Sequence, residues 1–295
     1  MLIDTPPQRI VSLVPSMTES LFNLGFDKFV VGITDYCIHP KADVDRLPRV
    51  GGPKNPRIED ILKLHPDLVI ANQEENSQQT VSELNKNGIS TWLTFPKTVD
   101  EAIADLWSLT RLFRSENAQA MLRMIEKSVE YARMAAQDQL AVRYFCPIWY
   151  EIDPDGSPWW MTFNQDTFTN DLLSVMGGEN VFSARERRYP IAADLGLALS
   201  EPSGDRDIRY PRVRLQDIIH SRPDVILLPD EPYPFGEKEA ERLIAEFRDS
   251  ANIDLLILHV EGSLITWPGT RIATAISELA PEFTKLTNRK DGATL

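Results

Sequence analysis

Aromatic residues near predicted strand ends are the side chains whose positions most favour ligand binding. An aromatic face can stack on a flat organic ligand, although such residues also fill protein cores. Tyr36 and Trp160, in or beside loops, are predicted to face a ligand, whereas Trp92, inside a strand, is predicted to be core. The aromatic candidates are Tyr36, Trp92, Trp160, Phe163, Tyr189, Tyr210 and Trp267.

Groups that could act in catalysis or hold a bare metal ion are sparse. The four histidines are scattered, and His65 and His220 fall in helical segments where a surface position is expected. His39 shares a loop with Tyr36 and Cys37, so it is a candidate metal ligand. No convergent ligand set for a bare metal, catalytic triad, HExxH motif or dinucleotide fingerprint occurs. The sequence therefore predicts a protein that is not an enzyme and has no cofactor.

Charge and composition exclude several classes of protein. The 295 residues include 31 basic and 44 acidic ones, a formal charge of −13, which disfavours a nucleic-acid partner. Two cysteines give no disulfide framework. The N-terminus lacks a basic segment followed by a long apolar run. The expectation is a chain without an export signal, either cytoplasmic or an exported protein written without its leader.

A repeated segment predicts how the candidate residues are positioned. RIEDILKLHPDLVIA (57–71) recurs 157 positions later as RLQDIIHSRPDVILL (214–228). Each copy reads as a helix, a proline that makes the preceding residue extended, and a buried parallel-type strand. Two α/β lobes are therefore expected. Ligands collect at the carboxyl ends of such strands, where Tyr36, Asn72 and Glu74 are predicted to lie.

Other segments give more specific predictions. The stretch 115–138 reads as one amphipathic helix that separates an N-terminal lobe (1–113) from a C-terminal lobe (140–295), with 114–139 as the connection. Gly51-Gly52 lacks the spacing of a phosphate loop and is predicted to let backbone approach a ligand or a neighbouring strand. Asn55 and Pro56 are predicted to open a helix. Residues 147–158 are predicted to be a loop, and 185–211 an irregular insertion.

Longer motifs resemble one known family. These motifs are IVSLVPSMTESLFNLG, VGITDY, VGGPKNPRIEDILKLHPDLVIA, DLLSVMGGENVF and RLQDIIHSRPDVILLPDEPYPF. They resemble the substrate-binding proteins of ABC importers for vitamin B12, ferric siderophores and haem, and the B12 branch most closely. The resemblance implies an α/β fold of two Rossmann-like lobes with mostly parallel sheets, joined by a single long helix.

The same resemblance implies the ligand, the partner and their residues. The expected ligand is cobalamin or another corrinoid, bound between the lobes by Tyr36, Gly51, Gly52, Asn72, Trp159, Trp160, Phe163, Tyr210 and Trp267. The expected partner is an ABC permease, contacted by Glu74, Glu75, Glu231 and Glu237. A monomer in the periplasm or on the outer face of the membrane is implied. The alternatives are a haem or siderophore binder of the same family, or a cytoplasmic corrinoid- or tetrapyrrole-handling enzyme with His39 or Glu74 as acid or base.

Overall fold

The two copies of the repeat each form a helix followed by a strand in the computed structural model, which describes residues 5–251 and 255–292. The helices span Ile58–Lys63 and Leu215–Ser221, and the strands span Leu68–Asn72 and Val225–Pro229. Both helix starts and both strands are 157 positions apart. The predicted repeat is therefore confirmed at the level of elements.

The chain forms two compact units. Unit 1 comprises Met1–Ser128 and Trp267–Thr274, and unit 2 comprises Val129–Thr266 and Ala275–Leu295. The boundary between the two units, Ser128/Val129, falls within one helix, Glu116–Gln137. The segment Trp267–Thr274, which the sequence grouped with the C-terminal lobe, lies with unit 1.

Unit 1 is built around a parallel sheet. Its elements are β1 (Ile10–Ser12), α1 (Pro15–Asn23), β2 (Val30–Ile33), α2 (Lys41–Val44), α3 (Ile58–Lys63), β3 (Leu68–Asn72), α4 (Gln78–Lys86), β4 (Thr91–Thr94), α5 (Val99–Leu112) and the first part of α6 (Glu116–Gln137). The strand order is β2-β1-β3-β4, with all pairs parallel. All five residues of β3 are buried, which agrees with a strand that is covered on both faces.

Unit 2 repeats this arrangement and adds a second sheet. Its elements after α6 are β5 (Val142–Phe145), β6 (Trp149–Ile152), β7 (Pro158–Met161), α7 (Phe168–Val175), β8 (Gly178–Asn180), α8 (Ile191–Asp194), β9 (Arg212–Val213), α9 (Leu215–Ser221), β10 (Val225–Pro229), α10 (Glu237–Ala251), β11 (Ile257–Val260), α11 (Gly262–Thr266) and α12 (Ile272–Gly292). The parallel order is β11-β10-β5-β8, so both units place their second, first, third and fourth parallel strands side by side. A separate antiparallel sheet has the order β6-β7-β9.

The repeat also fixes how each helix ends. His65 and Arg222, 157 positions apart, have left-handed φ values of 47° and 49°. The extended geometry predicted before Pro66 and Pro223 was therefore wrong, because a left-handed residue turns the chain sharply out of the helix. An arginine then caps the helix end in each copy.

One capping arginine, Arg9, directly precedes the first strand of unit 1, and the other, Arg143, lies in the first strand of unit 2. Arg9 Nη2 donates to the Leu64 carbonyl at 2.7 Å, and Arg143 Nη2 donates to the Ser221 carbonyl at 2.8 Å. The backbone N–H of each arginine donates to Asp67 or Asp224, which precedes the neighbouring strand. Each unit thus joins its first and third strands through the same Arg and Asp contacts.

Several local predictions were wrong. The helix α3 begins at Ile58 with Arg57 at its N-cap, while Pro56 pairs with Gly51 instead of starting the helix. Residues 147–158 are not only loop, because β6 and β7 form a hairpin there.

No helix among the described residues has both the length and the apolar content needed to cross a membrane.

Candidate functional site

Tyr36 is the most exposed of the predicted ligand-contacting aromatic residues. It follows β2, and 64% of it is accessible to solvent. The neighbouring Asp35 N–H donates to the Gly51 carbonyl at 2.9 Å, so the Tyr36 loop and the glycine pair lie side by side. A Cβ added at Gly52 would lie 3.8 Å from Tyr36 Cε2. The bare backbone at Gly52 and the Tyr36 ring therefore form one continuous surface.

Buried groups hold the Tyr36 loop from below. The side chain of Cys37 is fully buried, and its Sγ lies 3.1 Å from Thr18 Oγ1 and 3.2 Å from Thr34 Oγ1. Burial raises the pKa of the Cys37 thiol above its ordinary value, despite the hydrogen bonds from these threonines. Cys37 therefore acts as a protonated anchor of the loop and not as a nucleophile.

Arg49 is a supporting residue that the sequence analysis missed. Its Nη1 donates to the carbonyls of Thr34 and Cys37, both at 2.9 Å, and its Nη2 donates to the Val44 carbonyl. It thereby satisfies backbone oxygens on both sides of Tyr36. An arginine between a strand and a Gly-Gly pair gives no recognisable sequence signal, so only the structure reveals this role.

Asn72 is committed to the loop after β3. Its Oδ1 accepts the Glu74 N–H at 2.7 Å, and its Nδ2 donates to Thr94 Oγ1 at 3.3 Å. The side chain is buried, with Asn76 Oδ1 accepting the Asn72 N–H at 2.7 Å. Asn76 in turn donates to the Pro53 carbonyl at 2.9 Å. These contacts position Glu74 and Glu75, and they disfavour the predicted contact between the Asn72 amide and a ligand.

Trp267 lies beside the Tyr36 loop in unit 1. Its ring meets the His39 ring edge-on with centroids 5.8 Å apart, and the Arg271 guanidinium lies 5.1 Å from its centroid. Arg271 Nε and Nη2 each donate to a Glu19 carboxylate oxygen at 2.8 Å. Unit 1 thus places Trp267 against His39 of the loop that carries Tyr36.

Close backbone packing holds the segment that carries Trp267. The Thr270 N–H donates to Ser20 Oγ at 3.1 Å, and Asn23 Nδ2 donates to Thr270 Oγ1 at 2.9 Å. Gly269 has a φ of 151°, and a Cβ there would lie 2.4 Å from Ser20 Oγ. Only glycine allows this approach without displacing α1.

The predicted aromatic residues of unit 2 are mostly core. Trp160 is 2% exposed and packs in a core cluster with Phe145 and Ile226. Trp159 and Phe163 are buried too. These three rings expose no face to which a ligand could bind. Their predicted role in stacking on a ligand stays a prediction, and their burial disfavours it. Tyr210 is half-buried, with the Arg209 guanidinium 5.1 Å from its ring centroid.

A pair of aromatic residues in unit 2, of which one is exposed and one half-buried, was not predicted. Trp149, in β6, is 41% exposed and meets Tyr233 edge-on with centroids 5.6 Å apart. Tyr233 follows β10, so this pair lies past the carboxyl end of a parallel strand. The sequence feature that could have indicated this hairpin is the turn-forming segment Asp153–Gly156. In the structure the Gly156 N–H donates to the Asp153 carbonyl at 2.8 Å. Such a turn between two aromatic runs indicates a hairpin and not a plain loop.

The arginines of the 185–211 segment are largely used within unit 2. Arg185 Nη1 pairs with Asp217 at 3.2 Å, and its Nη2 donates to the Asp194 carbonyl at 3.0 Å. The Asp194 carboxylate is buried, and it accepts the N–H groups of Arg188 and Arg212 at 2.9 and 2.8 Å. Burial raises the Asp194 pKa, an effect that these hydrogen bonds oppose. These contacts hold Arg185 and Asp194 in place within unit 2.

The four candidate docking glutamates lie after the two copies of the repeat in the chain. Glu74 and Glu231 are 157 positions apart, after β3 and β10 respectively. Glu74 is exposed and Glu231 is half-buried. The Glu237 side chain is 87% exposed and has Oε1 3.8 Å from His259 Nε2. Neither the structure of each unit nor the repeat assigns these residues a function by itself.

No group of three or more histidine, cysteine, aspartate or glutamate side chains suited to a metal ion occurs within residues 5–251 and 255–292.

Comparison with known proteins gives the family. The family model described as "Periplasmic binding protein" matches residues 10–228. The chain belongs to this family. As a periplasmic binding protein it binds a substrate and is not an enzyme.

Individual relatives of this periplasmic binding protein are distant. The vitamin B12-binding protein of Vibrio cholerae is 24% identical over 222 residues, which cover 75% of this chain and 70% of the relative. An uncharacterized ABC transporter substrate-binding lipoprotein of Bacillus subtilis is 25% identical over 291 residues, covering 94% and 80% respectively.

Solved structures share the fold of this periplasmic binding protein. The periplasmic vitamin B12 binding protein of Vibrio cholerae has a TM-score of 0.71 and 20% identity, covering 96% of this chain and 98% of that one. A periplasmic heme-binding protein from Roseiflexus sp. RS-1, in apo form, has a TM-score of 0.70 and 18% identity, covering 95% and 99%. The predicted fold of two α/β lobes with parallel sheets is confirmed.

Proposed function

We propose that this protein is the substrate-binding component of an ABC importer, and that it binds a corrinoid, with cobalamin as the first candidate. The observation that carries the proposal is the surface formed by Tyr36 and Gly52, where an exposed aromatic face adjoins bare backbone at a strand's carboxyl end. A corrin is a broad disc fringed with amides, which aromatic faces and backbone groups can hold. The curated relatives named as vitamin B12-binding proteins support the same choice.

The use of charge in unit 2 also supports a corrinoid. A carboxylate-rich siderophore or the propionates of haem call for convergent arginines. Arg185 is paired with Asp217, and the guanidiniums of Arg187 and Arg206 lie 4.3 and 4.0 Å from the ring centroid of Tyr189. Arg185, Arg187 and Arg206 thus make contacts within unit 2. These contacts support the aromatic and backbone surfaces as the main recognition groups.

Haem is the second candidate, and the position of His39 favours it. The His39 ring lies in the Tyr36 loop and meets Trp267 edge-on, so an imidazole adjoins the same surface. An axial imidazole is a common ligand of haem iron. Heme-binding proteins are also among the similar solved structures. If haem is the ligand and His39 is its axial ligand, His39→Ala will alter the Soret spectrum of the complex.

Permease docking through glutamates is the second part of the proposal. We assign this role to Glu74 and Glu231, which occupy equivalent positions of the two repeats, with Glu75 and Glu237 as neighbours. Equivalent carboxylates suit a partner that presents two matching cationic groups. The protein would then act on the outer side of the membrane, where such an importer collects its substrate.

The visible spectrum of the protein purified from its own host tests the proposed ligand. Corrinoids, haem and ferric siderophores absorb at distinct wavelengths, so a co-purifying ligand identifies itself. A corrinoid spectrum would support the first candidate, and a haem or siderophore spectrum would exclude it. Protein that purifies without colour is loaded by dialysis against each of the three ligands and read in the same way.

A further inference from the structure

Two arginines of unit 2 have side-chain N–H groups that are buried without a hydrogen-bond partner. Arg212, in β9, is 8% exposed, and neither its Nε nor its Nη1 makes a hydrogen bond to the described residues. Arg187, in the 185–211 segment, is half-buried, and its Nε likewise has no partner there. A buried donor that has lost water and gained no acceptor is destabilising, so native proteins usually supply a bound water or ion.

The contacts that these two guanidinium groups make with aromatic rings do not satisfy their N–H groups. The guanidinium carbon of Arg187 lies 4.3 Å from the ring centroid of Tyr189, and that of Arg212 lies 5.6 Å from the ring centroid of Trp159. Such a contact is an attraction between the cation and the ring, and it supplies no lone pair to N–H groups in the guanidinium plane. The rings therefore position the two arginines and leave these donors to another group.

The carboxylates beside these arginines are already engaged. The buried Asp194 accepts two backbone N–H groups, at 2.9 and 2.8 Å, and its Oδ2 lies 3.8 Å from Arg212 Nη1, too far for a hydrogen bond. Asp207, which neighbours Arg187, accepts from Arg209 Nε and Nη2 at 3.0 and 2.6 Å. These three guanidinium groups and two carboxylates leave one positive charge uncompensated within the group.

The positive charges of Arg187 and Arg212 also lie close enough to repel each other. Burial lowers the pKa of the Arg212 guanidinium, and the nearby charge of Arg187 lowers this pKa further. Arginine nevertheless stays charged at pH 7. An anion in contact with both side chains relieves this repulsion and accepts hydrogen bonds from the buried N–H groups.

We propose that Arg187 and Arg212 bind a small oxyanion of the phosphate class within unit 2. Guanidinium donors suit the oxygen atoms of phosphate, and hydrogen bonds between two charged groups are stronger than those between neutral ones. The burial of Arg212 restricts the site to a small group. The anion then joins the 185–211 segment, which contains Arg187, to β9. This proposal does not depend on which ligand the surface of Tyr36 and Gly52 binds.

Thermal unfolding in the presence of inorganic phosphate tests the site. The protein is dialysed free of phosphate and then unfolded with phosphate from zero to about 10 mM, at an ionic strength held constant with sodium chloride. Because a ligand that binds only the folded state stabilises it, the Tm should rise saturably by about 3 °C or more. Isothermal titration calorimetry of the dialysed protein should give one phosphate per chain.

Three variants separate the site from a general effect of phosphate, which stabilises many proteins by its exclusion from their surfaces. Arg212→Lys keeps a positive charge near Asp194 but lacks the guanidinium donors, and it should weaken phosphate binding about tenfold or more. Arg187→Met, at a half-buried position, should have a similar effect. Arg248→Met is the matched control, because it removes one positive charge from an exposed position of α10 and should leave phosphate affinity unchanged.

A second titration, with excess cyanocobalamin present, identifies the source of the oxyanion. The nucleotide of cyanocobalamin contains a phosphodiester, which offers the same chemistry as the free ion. An unchanged response to phosphate assigns the site to the free ion, and a lost response assigns it to the phosphodiester. A Tm that phosphate raises no more than chloride does would overturn the proposal, as would a response that Arg187→Met and Arg212→Lys both leave unchanged. Ordered water would then be the partner of the buried N–H groups.

Discussion

Tyr36 provides the most direct residue-level test of the proposed ligand surface. Its ring is exposed while the adjoining Cys37 is fully buried, so the ring can be removed without opening the core. An aromatic stack contributes about 0.5 to 1.5 kcal/mol beyond the area that it buries, and a tenfold change in affinity is about 1.4 kcal/mol. We therefore expect Tyr36→Ala to weaken cobalamin binding about tenfold or more, measured by isothermal titration calorimetry.

Two further variants make the Tyr36 measurement specific. Tyr36→Phe keeps the ring and should retain affinity within about threefold, since the stacking face is unchanged. Tyr131→Ala removes a tyrosine of similar exposure from α6 and should leave affinity unchanged. Unaltered binding by Tyr36→Ala would remove Tyr36 from the ligand surface.

Asp105 in α5 gives a residue-level prediction about pH. Burial, with a smaller contribution from the nearby Glu101 charge, raises the Asp105 pKa to about 6 from an ordinary 3.8. A raised carboxyl pKa means that the folded state holds the proton more tightly than the unfolded state, so the protein loses stability as the pH rises from about 4 to about 6. Asp105→Asn removes this loss.

We expect Asp105→Asn to raise the free energy of unfolding at pH 7 by about 2 kcal/mol, which is less than the roughly 3 kcal/mol of the full pKa rise because solvent screens a half-buried carboxyl. The gain should shrink to a small fraction near pH 4, where the wild-type carboxyl is protonated in the folded state and about half protonated in the unfolded state. Urea unfolding at both pH values measures the difference. Asp249→Asn, at an exposed position of α10, is the control, and an Asp105→Asn gain that is the same at both pH values would contradict the account.

The candidate site shows which residue roles a sequence can reveal. The exposed Tyr36 was predictable because it follows a strand-like run and enters a loop, the place where ligands collect in α/β folds. Trp160 was predicted to face a ligand for the same reason, but it lies in β7 and its side chain is buried in the core of unit 2. Arg49 was not predictable, since its role depends on carbonyls that only the fold brings together.

At the scale of elements, close packing against α1 explains why Trp267 lies in unit 1. Gly269 approaches Ser20 more closely than any side chain would permit, and its φ of 151° is a region that other residues rarely adopt. Gly269→Ala is expected to lower the free energy of unfolding by about 2 to 4 kcal/mol, through steric conflict and backbone strain. Chemical denaturation measures this loss.

A second glycine provides the control for that prediction. A Cβ at Gly236 would come only within 3.6 Å of Glu239 Oε2, which is an ordinary contact. Gly236→Ala should therefore change stability by less than about 1 kcal/mol. Equal effects of the two substitutions would show that the packing of Gly269 on α1 is not what holds Trp267 in place.

The elements themselves were predicted better than their junctions. The repeat fixed both helix-strand units because each combines helical periodicity, a proline and a buried aliphatic run. The start of α3 was predicted wrongly because Pro56 forms an isolated backbone bridge with Gly51. No local sequence pattern indicates that these two residues pair. The β6–β7 hairpin was missed although its turn residues were visible in the sequence.

At the scale of the whole molecule, the docking role proposed for the equivalent glutamates predicts the effect of reversing their charge. Glu74→Lys combined with Glu231→Lys should abolish association with the ABC permease of the same organism, because both contacts then become repulsive. Affinity for the ligand should not change. Co-purification with the detergent-solubilised permease measures association, and calorimetry measures ligand affinity.

A matched pair of substitutions controls for net charge. Glu83→Lys combined with Glu278→Lys makes the same change in charge, with one exposed site in each unit. This variant should still associate with the permease. If the Glu74/Glu231 charge reversal leaves association intact, these two residues are not the docking residues. Glu75 and Glu237 would then be tested next.

Calorimetric titration of the unmodified protein tests the central claim most directly. Cyanocobalamin, haemin and a ferric siderophore are titrated separately into the same preparation. The account predicts saturable binding of cyanocobalamin with one site per chain and a Kd near or below about 1 µM, and weaker binding of the other two ligands. No heat with cyanocobalamin, together with tight binding of haemin or the siderophore, would contradict it.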